Sequence, residues 1–255
     1  MIDSIILDFE NETSTFNSLN NIWNASQDEI TSFLKSKILK KKLEDFPSGN
    51  HFHDVLFKEF NKEFDSDFSK KITAYWFHNT RVTDKTDFKE GILPLDKMVD
   101  KVHNQINNFI TDLNLTTSNK SLEESSMIQR KLNSNYDNGP WGFLIRNFAL
   151  EKVDGIHNYL SLPEIVEDIV YYKYPFNQAQ QILKEFKNAT VPCIVKFKSS
   201  KEIHPEKLSS VINYLFHKLN NEKIDGNCNS NISLMGEKIN FDSIIKIEFL
   251  EKHLA

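Results

Sequence analysis

The sequence predicts an α+β fold, with a helical N-terminal region over residues 1–70 and a mixed domain over residues 71–255. Apolar side chains recur at helical spacing through most of the first region, which has no strong strand signal beyond the run SIILDF. From residue 72 the run ITAYWFHNTR is short and rich in β-branched and aromatic residues, as strands are. Helical stripes and strand-like runs then alternate, and the second region has the size of one domain.

The N-terminal region is predicted to contain two amphipathic helices. Ser26 and Glu29 have the spacing of a capping box, in which each side chain accepts a hydrogen bond from the backbone N–H of the other residue. The helix that follows has an apolar face made of Ile30, Phe33, Leu34, Leu39 and Leu43. A second helix is indicated by four-residue steps between Phe52, Leu56, Phe60 and Phe64.

The second region is predicted to begin with the strand over 72–81 and to continue with helices and further strands. Strands are expected in WGFLIRNFAL (141–150), in VPCIVKFK (191–198) and on both sides of a Gly-Glu-Lys turn near the end of the chain. Helices are expected along the stripe that starts at Leu95, after Pro163, over 176–187 and after His204-Pro205.

Charge and cysteine content exclude several classes of protein. The formal net charge of -5 argues against broad electrostatic binding to nucleic acid, and the lysine run over 35–42 predicts a solvated helix face. Cys193 and Cys228 give no disulfide framework, which fits a reducing compartment. The N-terminus lacks the basic start of a signal peptide, and no run is long enough to cross a membrane. We therefore expect a cytoplasmic protein that does not bind membranes.

The common catalytic motifs are missing from the sequence. His51 and His53 form an HxH pair, but no HExxH or cysteine cluster accompanies it, so no metal site is predicted. There is no GxGxxG after a strand and no GxxxxGK[ST] loop for phosphates. There is also no GxSxG nucleophile elbow.

Three segments in order resemble the ADP-ribosyltransferase superfamily, which includes the poly(ADP-ribose) polymerases. In that family the first strand ends in His-Gly-Thr or His-Gly-Ser, and a Gly-Leu or Gly-Ile pair follows. The matching residues here are His78, Asn79 and Thr80, followed by Gly91-Ile92. The resemblance implies a split β-sheet core of the His-Tyr-Glu type, to which the helical N-terminal region is attached.

The second and third segments extend the resemblance. GIHNYLSLPEIVEDI is similar to the family's Gly-Ile-Tyr-Phe strand and the serine segment after it, which aligns Gly155, Tyr159 and Ser161 with the family's motif. The segment from Ile239 to Ile244 is similar to the closing hairpin of the family. The nearest acid to the family's catalytic glutamate position is Glu237, because Ser230 or Asn231 aligns with that position itself.

The resemblance implies that NAD is a substrate and that no metal is required. Cleavage of the bond between nicotinamide and ribose passes through an oxocarbenium-like state. His78 and Thr80 would hold the ribose hydroxyls, Tyr159 would pack against the nicotinamide, and Glu237 would be the catalytic carboxylate. Gly155 and Ser161 would line the same site, and Arg81 would bind the diphosphate.

Several alternatives remain open at this level. Asn79 stands where the family has glycine, and a Glu237 that points away from the site would leave a non-catalytic module that binds a nucleotide or a partner. The acceptor would be a macromolecule, either protein or nucleic acid. Bacterial enzymes of this kind are often toxins or anti-phage effectors, so the resemblance also implies a possible neutralising partner protein. Arg146, inside a predicted buried strand, is expected to pair with an acid.

Overall fold

The structure is a computed structural model that describes residues 4–44, 46, 50–83, 86–113, 115, 118–134, 136–151 and 153–251. Within these residues the helices are α1 (Glu12–Trp23), α2 (Gln27–Leu34), α3 (Lys37–Leu43), α4 (Asn50–Glu63), α5 (Leu95–Asp112), α6 (Ser126–Asn133), α7 (Glu164–Lys173), α8 (Phe176–Ala189) and α9 (Ser209–Leu219). The strands are β1 (Ser4–Leu7), β2 (Lys71–Val82), β3 (Trp141–Phe143), β4 (Val191–Lys198), β5 (Asn231–Ser233) and β6 (Ile244–Phe249). The predicted α+β class is confirmed, whereas the specific ADP-ribosyltransferase-like core stays a prediction.

The chain divides into two compact units that interleave along the sequence. The first consists of Met1–Phe77, Phe143–Ile156 and Lys198–Asn231, and the second of His78–Gly142, His157–Phe197 and Ile232–Ala255. The predicted boundary after residue 70 lies inside the first span of the first unit. Compact units are defined by long-range contacts, and local sequence patterns do not report those contacts.

The first unit is built from the N-terminal helices, a parallel strand pair and helix α9. β1 pairs in parallel with the start of β2, from Ser4 opposite Lys71 to Leu7 opposite Ala74. The capping box at the start of α2 is confirmed. The predicted single helix after it is two helices instead, because the Ser36 side chain caps a new helix by accepting from the Leu39 N–H at 3.2 Å.

The second unit has a helical core made of α5, α7 and α8. The predicted helices over this part of the chain are confirmed, and their apolar stripes face one another. The core side chains are fully or almost fully buried, and they include Ile106, Val166, Ile169, Ile182 and Phe186. Burial of this many large apolar side chains is the main source of stability for these helices.

The strand order of the sheet is β5-β3-β2-β4-β6, and β1 pairs with β2 outside that path. Because β5 and β6 occupy the two ends of this order, the last two strands do not pair with each other as the expected closing hairpin would. The predicted strand over 141–150 is also wrong beyond Phe143. There the Asn229 side chain accepts from the Leu144 and Ile145 N–H groups at 3.1 and 3.0 Å, and a 3-10 turn follows over Arg146–Leu150.

Gly91 is required by a close approach of two backbones. Its φ is +79°, and the next residue, Ile92, exchanges two backbone hydrogen bonds with Ile239, each 2.9 Å long. A Cβ at Gly91 would lie 1.9 Å from the Ile239 carbonyl oxygen. The Gly-Ile pair of the sequence resemblance therefore fixes a backbone bridge inside the second unit.

We expect Gly91→Ala to lower the free energy of unfolding by about 3 kcal/mol, because it adds a backbone clash to the strain of a left-handed conformation. Chemical denaturation measures this change. Gly155→Ala is the matched control, since Gly155 has φ +78° but no atom within 4 Å of an added Cβ. That control should cost only about 1 kcal/mol. Equal losses in the two variants would contradict the role of the clash.

Candidate functional site

The side chains of residues 78–81 in strand β2 lie on two opposite faces of the sheet. Side chains alternate along a strand, so His78 and Thr80 lie on one face while Asn79 and Arg81 lie on the other. His78 and Thr80 are half-buried, whereas Asn79 and Arg81 are each only 7% exposed. The proposed ribose-binding pair therefore shares a face, and the proposed diphosphate ligand does not share that face with them.

His78 is held in one orientation by the backbone of β3. Its Nδ1 atom lies 2.7 Å from the Trp141 carbonyl oxygen, which only accepts, so Nδ1 carries the proton and donates it. Burial lowers the pKa of His78 despite this bond, so the imidazole is neutral near pH 7. The Nε2 atom is then a hydrogen-bond acceptor, which suits a hydroxyl donor such as a sugar 2′- or 3′-hydroxyl.

Arg81 makes four hydrogen bonds to groups of the second unit. Nη1 donates to the Leu160 carbonyl at 2.7 Å, and Nη2 donates to the Lys187 and Thr190 carbonyls at 2.9 Å each. Nε donates to the Thr190 hydroxyl at 3.1 Å. Burial lowers the pKa of Arg81, but a guanidinium keeps its charge at any ordinary pH. Binding a diphosphate with Arg81 would require replacing these bonds, so its role as a ligand stays a prediction.

Tyr159 lies in the turn that leads into α7. Burial raises the pKa of its phenol to about 12, and the carboxylates of Glu164, Asp137 and Asp168 add to that rise. The His157 ring meets the Tyr159 ring edge-on, with 4.7 Å between the ring centres. The phenol is therefore un-ionised at neutral pH, and the ring is the part of Tyr159 suited to packing against a flat ligand.

Ser161 closes the same turn and is tied to the helix α8. Its hydroxyl accepts from the Lys187 ammonium at 3.0 Å, and its N–H donates to the Asn158 side chain at 3.0 Å. Because Arg81 binds the carbonyls of Leu160 and Lys187, one network fixes the turn that carries Tyr159 and Ser161.

Acids near Tyr159 are neutralised in part by one lysine. Lys131 contacts Glu164 at 2.8 Å and also bonds Asp168, which is 7% exposed. The carboxylates raise the pKa of the Lys131 ammonium despite its burial. In the sequence, Glu164 and Asp168 are acids near the start of the helix predicted after Pro163, and Lys131 has no local signal that pairs it with them.

Glu237 follows a tight turn that is hydrogen-bonded to the segment 136–141. The Ser233 hydroxyl donates to the Tyr136 carbonyl at 2.7 Å, and the Gly236 N–H donates to the Gly139 carbonyl at 2.8 Å. Gly236 has φ +86°, which favours glycine at this turn. The Glu237 carboxylate itself is exposed to solvent.

The segment 136–141 is hydrogen-bonded to His78 and to the turn before Glu237, and it carries one of the acids whose charge acts on Tyr159. Its Trp141 carbonyl binds His78, its Gly139 carbonyl binds the turn before Glu237, and the charge of its Asp137 raises the pKa of Tyr159. All of these residues belong to the second unit, whereas Gly155 belongs to the first. Sequence reasoning missed this segment, because its only local signal was the turn at Asn138-Gly139-Pro140.

No protein-family model, curated protein or solved structure is significantly similar to the chain. Among the described residues, no three His, Cys, Asp or Glu side chains are grouped closely enough to hold a metal ion. Over the same residues, no helix is both long and apolar enough to cross a membrane.

Proposed function

We propose that the chain is an NAD-dependent ADP-ribosyltransferase that modifies a macromolecular acceptor. The observation that supports this best is that the segment 136–141 is hydrogen-bonded both to His78 and to the turn before Glu237, while the charge of its Asp137 acts on Tyr159. A site that cleaves NAD needs a hydroxyl-binding group, a flat apolar surface and a carboxylate near one another. These three residues have those three kinds of side chain.

Each residue has a defined task in the proposed reaction. The Nε2 atom of His78 accepts a hydrogen bond from a ribose hydroxyl, and Thr80 on the same strand face adds a second polar contact. The Tyr159 ring packs against nicotinamide. The bond from C1′ to the nicotinamide nitrogen breaks, and nicotinamide leaves with the electron pair. The acceptor nucleophile then forms a bond to C1′ and loses its proton, while a carboxylate, assigned to Glu237, stabilises the cationic ribose.

The acceptor and the biological setting are part of the same proposal. The net charge of -5 favours a protein acceptor over nucleic acid, because phosphates repel an acidic surface. A toxin or anti-phage effector is the setting that the sequence resemblance favours, with a partner protein that neutralises the activity in the producing cell.

The exposed Glu237 carboxylate favours a second candidate function. A carboxylate in contact with bulk water stabilises a cation less well than one in a water-excluded site. If the turn keeps Glu237 in this position when ligand is bound, the same residues form a module that binds a nucleotide without cleaving it. Closure of the turn over the ligand distinguishes the enzyme from the binding module.

Incubation with NAD labelled in its adenylate half, together with lysate, RNA and DNA, tests the proposal. We expect label on a macromolecule and release of nicotinamide. Tyr159→Ala should lower the rate about tenfold, because the stacking surface is lost, whereas Tyr159→Phe should retain most of the rate. Binding of NAD without nicotinamide release would support the binding module. Neither binding nor release would contradict both candidates.

A further inference from the structure

Within the described residues, the strand order ends at β6, so one edge of this strand is not covered by another strand. An exposed edge with apolar side chains is a template for pairing with a further strand. Ile245 and Phe249 are 51% and 48% exposed, and the Lys246 side chain is 50% exposed. The composition and register of β6 indicate which strand fits this edge.

The pairing of β6 with β4 shows which backbone groups point away from the sheet. β4 and β6 are antiparallel, with Ile194 opposite Glu248 and Val195 opposite Ile247. The Leu250 N–H donates to the Pro192 carbonyl at 2.8 Å, so the backbone N–H and C=O groups of Leu250 point towards β4. The direction of the backbone N–H and C=O groups alternates along an antiparallel strand. Those of Glu248 therefore also point towards β4, while those of Ile247 and Phe249 point away from it.

Two copies of β6 are complementary when they pair antiparallel about Ile247. In that register Ile247 faces Ile247 of the second copy. The backbone N–H of each Ile247 then donates to the backbone carbonyl of the other. Lys246 faces Glu248 of the second copy, and Glu248 faces its Lys246. The pairing therefore gives two opposite-charge pairs on one sheet face and the apolar Ile247 pair on the other.

The irregularity at the start of β6 limits the contact to a short segment. The register with β4 shifts between Lys196 and Phe197, so the regular part of β6 runs from Lys246 to Phe249. A pairing this short buries less surface than a standard protein interface, and the association should be weak and depend on concentration.

We propose that the free edge of β6 is a homodimer interface at which two copies of the chain pair antiparallel about a two-fold axis through Ile247. The self-complementarity of Lys246 and Glu248 in this register selects a second copy as the occupant. The interface lies entirely within the second unit and is independent of the proposed reaction.

Charge reversal tests the register in the full-length chain. Lys246→Glu alone, or Glu248→Lys alone, places like charges opposite each other twice in a homodimer. Each should weaken self-association about tenfold or more in sedimentation equilibrium. An equimolar mixture of the two single variants should form heterodimers, because opposite charges then face each other at both pairs. In each single variant, residues 246 and 248 of one chain carry the same charge and cannot attract each other. Association that returns in the mixture therefore comes from contacts between chains.

The controls separate loss of pairing from loss of folding. Circular dichroism and thermal unfolding show whether each single variant still folds, because Lys246 lies 3.9 Å from Glu248 of its own chain and opposite Lys196 of β4, and association is compared between folded chains only. Ile247→Pro removes an outward N–H without removing a bond to β4, and it should also weaken association. A wild-type chain that stays monomeric up to about 1 mM overturns the proposal. So does a dimer whose stability is unchanged by both charge reversals, or a mixture that associates no better than either variant alone.

Discussion

Replacing Arg81 with methionine should lower the free energy of unfolding by about 4 kcal/mol. The guanidinium satisfies the Lys187 and Thr190 carbonyls at the C-terminal end of α8, where backbone acceptors have no partner within the helix. It also satisfies the Leu160 carbonyl in the turn that carries Tyr159. Methionine fills the volume but leaves these acceptors without a donor.

Two further variants define what Arg81 contributes. Arg81→Lys keeps the charge, but all of its N–H donors lie on one nitrogen and cannot reach the acceptors that the three guanidinium nitrogens bind, so it should recover less than half of the loss. Arg130→Met replaces an exposed arginine in the same unit and should change the free energy of unfolding by less than about 0.5 kcal/mol. Chemical denaturation measures all three, and an Arg81→Met variant as stable as Arg130→Met would contradict a structural role for the guanidinium.

His78→Asn should lower transfer of label from NAD about 100-fold or more, while the fold is retained. The asparagine Nδ2 group lies near the position of the histidine Nδ1 atom and can donate to the Trp141 carbonyl, so the bond that orients residue 78 survives. What the variant lacks is the Nε2 acceptor that would bind a ribose hydroxyl. The expected loss therefore measures the contact with the substrate and not the contact with β3.

His78→Gln is the complementary variant. Its amide reaches the position of Nε2 but does not replace the donor at Nδ1, so it should retain more activity than His78→Asn and lose more stability. The transfer rate and the denaturation midpoint are measured on both variants. The rate falls more in His78→Asn and the midpoint falls more in His78→Gln only if the two ring nitrogens have separate tasks. Equal activity in both variants and the wild type would remove His78 from the proposed site.

Local sequence patterns were sufficient for most individual elements. The predicted helices beginning at Leu95, Pro163 and His204-Pro205 form because apolar side chains at helical spacing give each a face to bury. The strand over 72–81 matches β2 because its β-branched and aromatic residues pack well on a sheet. The capping box at Ser26 also forms, since its bonds join residues three apart.

Predictions that needed distant partners were less successful. WGFLIRNFAL is apolar like a strand, yet β3 ends after Phe143, where the Asn229 side chain accepts from the Ile145 N–H and shares the Leu144 N–H with the Ser230 carbonyl. The two last strands looked like a hairpin, but β3, β2 and β4 stand between them in the strand order. In both cases a contact far away in the sequence outweighs a local preference.

The candidate site divides in the same way. The sequence by itself determined the strand that carries residues 78–81, and alternation along it puts Arg81 on the face opposite His78 and Thr80, although the resemblance assigned all three to one site. Only the tertiary structure decided that the Trp141 carbonyl fixes the His78 tautomer, that Arg81 closes the end of α8, and that one segment is hydrogen-bonded to both His78 and the turn before Glu237. Alternation is a property of the backbone of one strand, whereas these contacts join segments that only the packing of the whole unit brings together.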